Sequence, residues 1–212
     1  MSAELLFYGF VRGVLVAFDR LYWRMTIEGR ERVPDGPVVL APVHRSNIDT
    51  PLVAAVTTRR LRYMGKEAVW KYRWSNWFFT TLGGVPVKRG VADRAALRRC
   101  VELLEEGEVV VIFPEGTRQS GPLVQPLFEG AAYLACRTGA PIVPIGIGGS
   151  ERAMPKGAKM LRPVKVHLVV GEPLLPPGPA GRTSRRAVHE LTERLRQTLQ
   201  ELFDEAQVKA GH

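Results

Sequence analysis

Apolar residues along the chain alternate between short continuous runs and stretches in which they recur at helical spacing. Continuous runs predict buried strands, whereas recurrence every three to four residues predicts helices with one apolar face. The predicted strands cover residues 37–43, 61–64, 108–113, 141–147 and 164–170. The predicted helices cover residues 50–58, 92–106, 129–137 and 184–208, and a Pro-rich loop covers 172–181. This alternation predicts a single α/β domain with a mixed, mostly parallel sheet flanked by helices.

The first 30 residues have a different pattern, because charged residues interrupt their apolar stretch at helical spacing. Arg12 and Asp19 fall on one face of a helix, and the opposite face carries Leu6, Phe10, Val14, Ala17 and Leu21. The longest uncharged run, residues 5–11, is far shorter than the roughly 20 residues that cross a bilayer. We expect residues 1–30 to form an amphipathic helix at a membrane interface, followed by the α/β domain at 31–212. A helix packed on the core of a soluble protein is the alternative.

A second segment, residues 69–79, contains three of the four tryptophans with two cations between them. The rings that share one face at helical spacing are Trp70, Trp74, Trp77 and Phe78. Tryptophan rings beside cations favour the headgroup interface of a bilayer, although an aromatic helix packed into the core is the alternative. We expect these four rings to contact the membrane together with Phe10, Val14 and Leu21.

The charge balance narrows the choice of partner. The chain has 30 Lys+Arg against 21 Asp+Glu, a net charge of +9. Such a surplus indicates an anionic partner, which could be nucleic acid, an acidic lipid surface or a phosphorylated small molecule. No nucleic-acid-binding motif accompanies the charge, so nucleic acid is not the expected partner. Cys100 and Cys136 lack metal-ligand spacing, and no metal site is expected.

His44 follows the predicted strand 37–43 directly, and Asp49 comes five residues later. A tight turn over this spacing brings a carboxylate back to the imidazole. The carboxylate then fixes the tautomer at one ring nitrogen and leaves the other free to take a proton. The alternative is an Asp at a helix N-terminus beside an unrelated loop histidine.

Residues 113–118 stand in the same position after another predicted strand. Here Pro114 and Gly116 set a turn that brings the backbone close to a ligand, and Gly116 and Thr117 are candidate substrate-binding residues. Arg118 offers a planar fork of donors that suits phosphate. Glu115 is expected either to hold a ligand hydroxyl or to pair with Arg118. A turn closed by that Glu–Arg pair, with no ligand, is the alternative.

Further candidate groups are cationic or apolar. Residues 83–90 place Arg89 among glycines, as in an anion-binding loop, and Lys66 after the strand 61–64 is a further candidate cation. Residues 142–147 contain no acid, base or donor side chain, and we expect them to be structural or to line an apolar groove.

Taken together in this order, these segments resemble the lysophosphatidic acid acyltransferase family, the glycerolipid acyltransferases with an H-x4-D box. The similar blocks are residues 44–49, 85–89, 113–118 and 143–145, and the resemblance covers about half of the chain. One departure is Val43, which stands where many members carry Asn. The combination of blocks is more specific than any one of them.

The resemblance implies transfer of a fatty acyl group to the free hydroxyl of lysophosphatidic acid, which gives phosphatidic acid. The donor would be acyl-CoA or acyl carrier protein, with no other cofactor. His44 would act as general base and Asp49 would orient it. Arg89 and Arg118, with Lys66, would hold the acceptor's phosphate.

The resemblance also implies a peripheral or monotopic enzyme on the cytoplasmic face of the cell membrane, in contact with an anionic bilayer surface. Acyl carrier protein is a candidate partner. Glycerol-3-phosphate or another lysophospholipid is the alternative acceptor. A different class is a non-catalytic basic module that binds anionic membrane or nucleic acid, for which the Arg-rich segments 59–62 and 182–186 are the best support.

Overall fold

The computed structural model describes residues 3–66, 70–87, 94–178, 180–181 and 183–212. Within these residues, seven strands form one sheet: β1 Thr26–Glu28, β2 Val38–Pro42, β3 Leu61–Lys66, β4 Val85–Val87, β5 Val109–Val111, β6 Ile142–Gly148 and β7 His167–Val170. The helices are α1 Ala3–Tyr22, α2 Asp49–Val53, α3 Arg73–Thr81, α4 Arg94–Glu105, α5 Gly130–Thr138, α6 Ser150–Ala153 and α7 Arg185–Ala210, with a short 3-10 helix at Arg30–Arg32.

The strands lie in the order β1-β7-β6-β2-β5-β3-β4. All neighbouring strands pair in parallel except β6 and β7, which are antiparallel. The structure confirms the predicted α/β domain with a mixed, mostly parallel sheet. Strands β1 and β4 were not predicted, because neither lies in a continuous apolar run like the one that contains the equally short β5. The central strands β2 and β5 are buried throughout, as their continuous apolar runs predict.

Helix α7 lies directly on strand β6 and covers the middle of the sheet. Gly146 and Gly148 make this close approach possible, because a Cβ at either position would lie 2.1 Å from a carbonyl oxygen of α7. All seven residues of β6 are buried. Residues 142–147 are therefore structural and lie under a helix, which corrects the alternative that they line an apolar groove.

Helix α1 turns its polar face towards the protein and its apolar face outwards. The Arg12 guanidinium Nε donates to the Ala54 and Thr57 carbonyl oxygens at 2.8 and 2.9 Å, and Asp19 is 1% exposed. On the opposite face, Phe10 is 71% exposed and Leu21 is 82% exposed. The helix is amphipathic as predicted, but its orientation is the reverse of a helix packed on a soluble core.

Two further observations define the N-terminal region. The helix ends at Tyr22, and β1 then pairs with β7, so residues 26–28 belong to the sheet and not to a separate segment 1–30. None of the helices in the described part of the chain is long and apolar enough to cross a bilayer.

Candidate active site

His44 and Asp49 meet where β2 ends and α2 begins. The His44 Nδ1 atom lies 3.0 Å from the Asp49 Oδ2 atom. The same oxygen accepts the main-chain N–H groups of Arg45 and Ser46, each at 2.7 Å. Asp49 is fully buried. Its carboxylate therefore closes the tight turn and holds the imidazole at the same time.

The His44 ring is stacked on one face and remains partly exposed. Phe113 stacks on the ring with a centroid separation of 4.1 Å and an interplanar angle of 28°. Among the described residues, no hydrogen bond to the Nε2 atom is found, and the His44 side chain is 11% exposed. A proton on Nδ1, which a carboxylate partner favours, leaves the Nε2 lone pair free to accept another.

Glu115 reaches the same place from β5, because β2 and β5 are parallel neighbours whose carboxyl ends share one edge of the sheet. Its Oε1 atom accepts the His44 main-chain N–H at 3.0 Å. Arg45 Nη1 donates to Oε1 at 2.8 Å and to Oε2 at 2.7 Å. Glu115 thus pairs with Arg45, which corrects the expected pairing with Arg118. The Glu115 side chain is wholly buried, whereas a ligand hydroxyl was its other expected partner.

Comparison with known proteins shows the family of the chain. The family model described as Acyltransferase matches residues 24–148, more than half of the chain, and the match contains His44, Asp49 and Glu115. The chain belongs to the acyltransferase family. It is an enzyme, so the alternative of a non-catalytic basic module is wrong.

Individual relatives extend this match. The acyltransferase is similar to the 1-acyl-sn-glycerol-3-phosphate acyltransferase of Bacillus subtilis (strain 168), with 29% identity over 92% of this chain and 96% of that protein. It is 30% identical to the chloroplastic 1-acyl-sn-glycerol-3-phosphate acyltransferase BAT2 of Brassica napus over 72% of this chain, which spans about half (46%) of the plant protein. The crystal structure of the 1-acyl-sn-glycerophosphate (LPA) acyltransferase PlsC from Thermotoga maritima superimposes with a TM-score of 0.74 and 28% identity, covering 95% of this chain and 86% of that one.

Arg118 is adjacent in the chain to a residue that bonds the main chain of His44. The next residue, Gln119, donates its main-chain N–H to the His44 carbonyl oxygen at 2.8 Å. Within the described residues, the Arg118 guanidinium has no hydrogen-bond or ion-pair partner, and it is partly exposed. Lys156 approaches the Arg118 carbonyl oxygen at 3.5 Å and adds a second cation that the sequence motifs do not indicate.

The other predicted ligand groups have mixed outcomes. Gly116 and Thr117 are exposed next to the site, and Gly116 has a left-handed φ of +69° with the Phe128 ring packed over it. The main chain of Lys66 ends β3, at the same sheet edge as His44, but its side chain lies outside the described part of the structure. Arg89 also lies outside the described residues.

Sequence reasoning missed Arg45 and Phe113. Arg45 stands one residue after His44, and Phe113 stands two residues before Glu115. The sequence offered a usable signal, because an Arg follows one predicted strand and a Glu follows another. Neighbouring parallel strands bring such residues together. The stacking of Phe113 on His44 had no comparable signal.

The Arg-rich segment 59–62 is occupied by contacts within the acyltransferase. Arg59 bonds the carbonyl oxygens of Pro34, Gly36 and Gly107. Arg60 bonds those of Thr80 and Thr81, and Arg62 pairs with Glu108 at 2.6 Å. These cations stabilise loops and strand ends and do not form a free basic surface. In the second segment, Arg182 lies outside the described residues.

The four rings that were predicted to share one helix face divide into two groups. Trp74 and Trp77 on α3 are 69% and 60% exposed, and Trp77 contacts Phe7 of α1 at 5.4 Å. Phe78 is half-buried and also contacts Phe7. Trp70 precedes α3 and packs over Gly65 and Gly84, so it does not share the exposed face of Trp74 and Trp77. The two helices meet where Phe7 contacts Trp77 and Phe78. Their exposed apolar residues are named here the α1–α3 surface: Leu6, Phe10, Val14 and Leu21 of α1 with Trp74 and Trp77 of α3.

Proposed function

We propose that this acyltransferase moves a fatty acyl group from an acyl thioester to the free hydroxyl of a lysophosphatidic acid, giving phosphatidic acid. The observation that carries the proposal is the His44–Asp49 contact at 3.0 Å, which engages Nδ1 and leaves Nε2 as the ring nitrogen for the acceptor's proton. The activities for which the Bacillus subtilis and Thermotoga maritima relatives are named support the choice of acceptor.

In the proposed reaction, His44 Nε2 takes the proton of the acceptor hydroxyl as its oxygen attacks the thioester carbonyl carbon. Asp49 stabilises the imidazolium that forms, and base assistance of this kind contributes about 10²–10⁴ in rate. Collapse of the tetrahedral intermediate forms the ester C–O bond and breaks the C–S bond. The departing thiolate then receives the proton from His44. No acyl-enzyme is needed, because the thioester is already activated.

Acceptor selection in this proposal depends on cations beside the base. The Arg118 guanidinium, unpaired within the described residues, is suited to bind the acceptor's phosphate, and the Lys156 ammonium lies 3.5 Å from the Arg118 carbonyl oxygen. Arg89 and Lys66 remain candidate ligands for the same phosphate. Anchoring the phosphate fixes the acceptor hydroxyl against His44, whereas a water molecule has no such anchor.

We further infer that the α1–α3 surface binds the cytoplasmic face of the membrane. The acceptor carries an acyl chain and resides in a bilayer, so the enzyme must meet it there. Exposed apolar residues on two adjacent helices favour partition into the interface, and the net charge of +9 favours an anionic surface.

A thiol-release assay with an acceptor panel tests the proposed reaction. The purified enzyme would receive acyl-CoA or acyl carrier protein thioester with lysophosphatidic acid, glycerol-3-phosphate or lysophosphatidylcholine. We expect thiol release to be fastest with lysophosphatidic acid. If no acceptor gives faster thiol release than hydrolysis by water alone, the proposal is contradicted. A preference for glycerol-3-phosphate would reassign the acceptor.

A further inference from the structure

We propose that Arg45 and Glu115 form a buried positioning pair that holds His44 in place, and that Glu115 contacts neither substrate. The inference rests on the proposed role of His44 as base. It divides the segment 113–118 into an inner part that shapes the catalytic turn and an outer part, from Gly116 to Arg118, that is available to the acceptor.

The Glu115 carboxylate has no acceptor capacity left for a ligand. Oxygen Oε1 accepts from the His44 main chain and from Arg45, and Oε2 accepts from Arg45 and from the Gln125 main-chain N–H at 3.3 Å. A carboxylate has about four acceptor positions, so these four contacts fill them. The side chain is also 0% exposed. A substrate hydroxyl would have to displace protein donors to reach it.

Arg45 is fixed by groups from several elements. Besides Glu115, its Nη1 atom approaches the His44 carbonyl oxygen at 3.3 Å, and Nη2 donates to the Leu123 carbonyl oxygen at 3.1 Å. Its guanidinium lies 4.7 Å from the centre of the Phe203 ring on α7. The pair therefore ties the ends of β2 and β5 to the loop after Glu115 and to α7.

The consequence for His44 is direct. Three successive main-chain N–H groups, those of residues 44, 45 and 46, donate to two buried carboxylates, Glu115 for the first and Asp49 for the other two. Asp49 and Phe113 then orient the ring. Neutralising Glu115 leaves the buried Arg45 without its counter-charge, which shifts the turn that carries the base. A displacement of about 1 Å at a catalytic group lowers rate by roughly 10²-fold.

The test separates positioning from substrate binding by the split between kcat and KM. In Glu115→Gln and Arg45→Met, we expect kcat to fall roughly 10- to 100-fold while KM for lysophosphatidic acid changes less than about threefold. Arg45→Lys should recover part of the lost kcat. The matched variant Arg118→Gln should instead raise the acceptor KM by about tenfold or more. All variants are assayed well below their melting temperatures.

A double variant keeps the inference testable if the single variants unfold. Arg45→Met/Glu115→Leu replaces the ion pair with apolar side chains, an exchange that buried pairs often tolerate. We expect it to fold and still show reduced kcat. An acceptor KM raised tenfold by Glu115→Gln at unchanged kcat would overturn the inference, as would wild-type kcat in Arg45→Met or in the double variant. These outcomes are independent of the thiol-release panel, which tests the reaction itself.

Discussion

The edge of the sheet that carries His44, named here the catalytic edge, and the α1–α3 surface both depart from the usual rule that polar side chains are exposed and apolar ones buried. They depart from it in opposite ways. At the catalytic edge, Arg45, Asp49 and Glu115 are buried and hydrogen-bonded to one another's segments. On the α1–α3 surface, large apolar side chains such as Phe10 and Trp74 face outwards. Buried polar groups need hydrogen-bond partners within the protein. A large exposed apolar patch instead indicates that another molecule or a membrane binds there.

This difference predicts two separable kinds of defect. Changes at the catalytic edge should alter turnover whatever the form in which the acceptor is presented. Changes at the α1–α3 surface should alter only the encounter with acceptor in a bilayer. The experiments below test that separation, beginning with the largest expected effect.

Asp49→Asn should lower kcat by about 10²–10⁴, because the amide can hold the wrong tautomer of His44 and cannot stabilise an imidazolium. The loss should be equal with acceptor in vesicles and in detergent micelles. Asp204→Asn, at an exposed position on α7, is the matched control and should keep wild-type kcat. A loss seen only with vesicles would contradict the separation.

Asp19 tests the inner side of α1. Neither of its carboxylate oxygens has a hydrogen-bond partner in the described structure, and burial raises the pKa of Asp19 to about 7. Because the folded state binds this proton more tightly than the unfolded state, stability should fall as pH rises from about 4 to about 7.

Asp19→Asn should remove that pH dependence and raise the free energy of unfolding at pH 8. At about 1.4 kcal/mol per pKa unit, the gain is at most about 4 kcal/mol. Urea denaturation at pH 4.5 and pH 8 measures it, with exposed Asp35→Asn as control. Equal pH dependence in Asp19→Asn and wild type would show that Asp19 is not a buried acid.

The double variant Trp74→Ser/Trp77→Ser should weaken binding to anionic phospholipid vesicles by about 10- to 100-fold, because it removes two large apolar side chains from the interface. Thiol release with acceptor in detergent micelles should stay near the wild-type rate. Val208→Ser removes a similarly exposed apolar side chain from α7 and should leave vesicle binding unchanged. Equal losses in vesicles and micelles would assign the tryptophans to the active site instead.

The two regions also differ in how far the sequence predicted them. The contact between His44 and Asp49 is local, so its spacing sufficed once a strand end was recognised. The pairing of Arg45 with Glu115 is long-range, and it depends on β2 and β5 being neighbours in the sheet. The sequence shows two buried strands but not their order in the sheet. Glu115 was therefore expected to bind a ligand hydroxyl or to pair with Arg118, and not with Arg45.

On the α1–α3 surface, periodicity identified the apolar face of α1 correctly but misplaced Trp70. Helical spacing was extended to Trp70, whereas α3 begins only at Arg73. The strands β1 and β4 were missed because neither lies in a continuous apolar run, unlike the equally short β5. Local patterns therefore predicted most of the helices and strands. Tertiary contacts, which those patterns do not show, decide which side chains meet.

The most direct test of the central claim is the kcat of His44→Ala for thiol release with lysophosphatidic acid in detergent micelles. His189→Ala, at an exposed position on α7, serves as the matched histidine control. If His44 takes the acceptor's proton, its loss should lower kcat by about 10²–10⁴ while the fold and vesicle binding persist. Turnover by His44→Ala at the rate of His189→Ala would contradict the proposed mechanism.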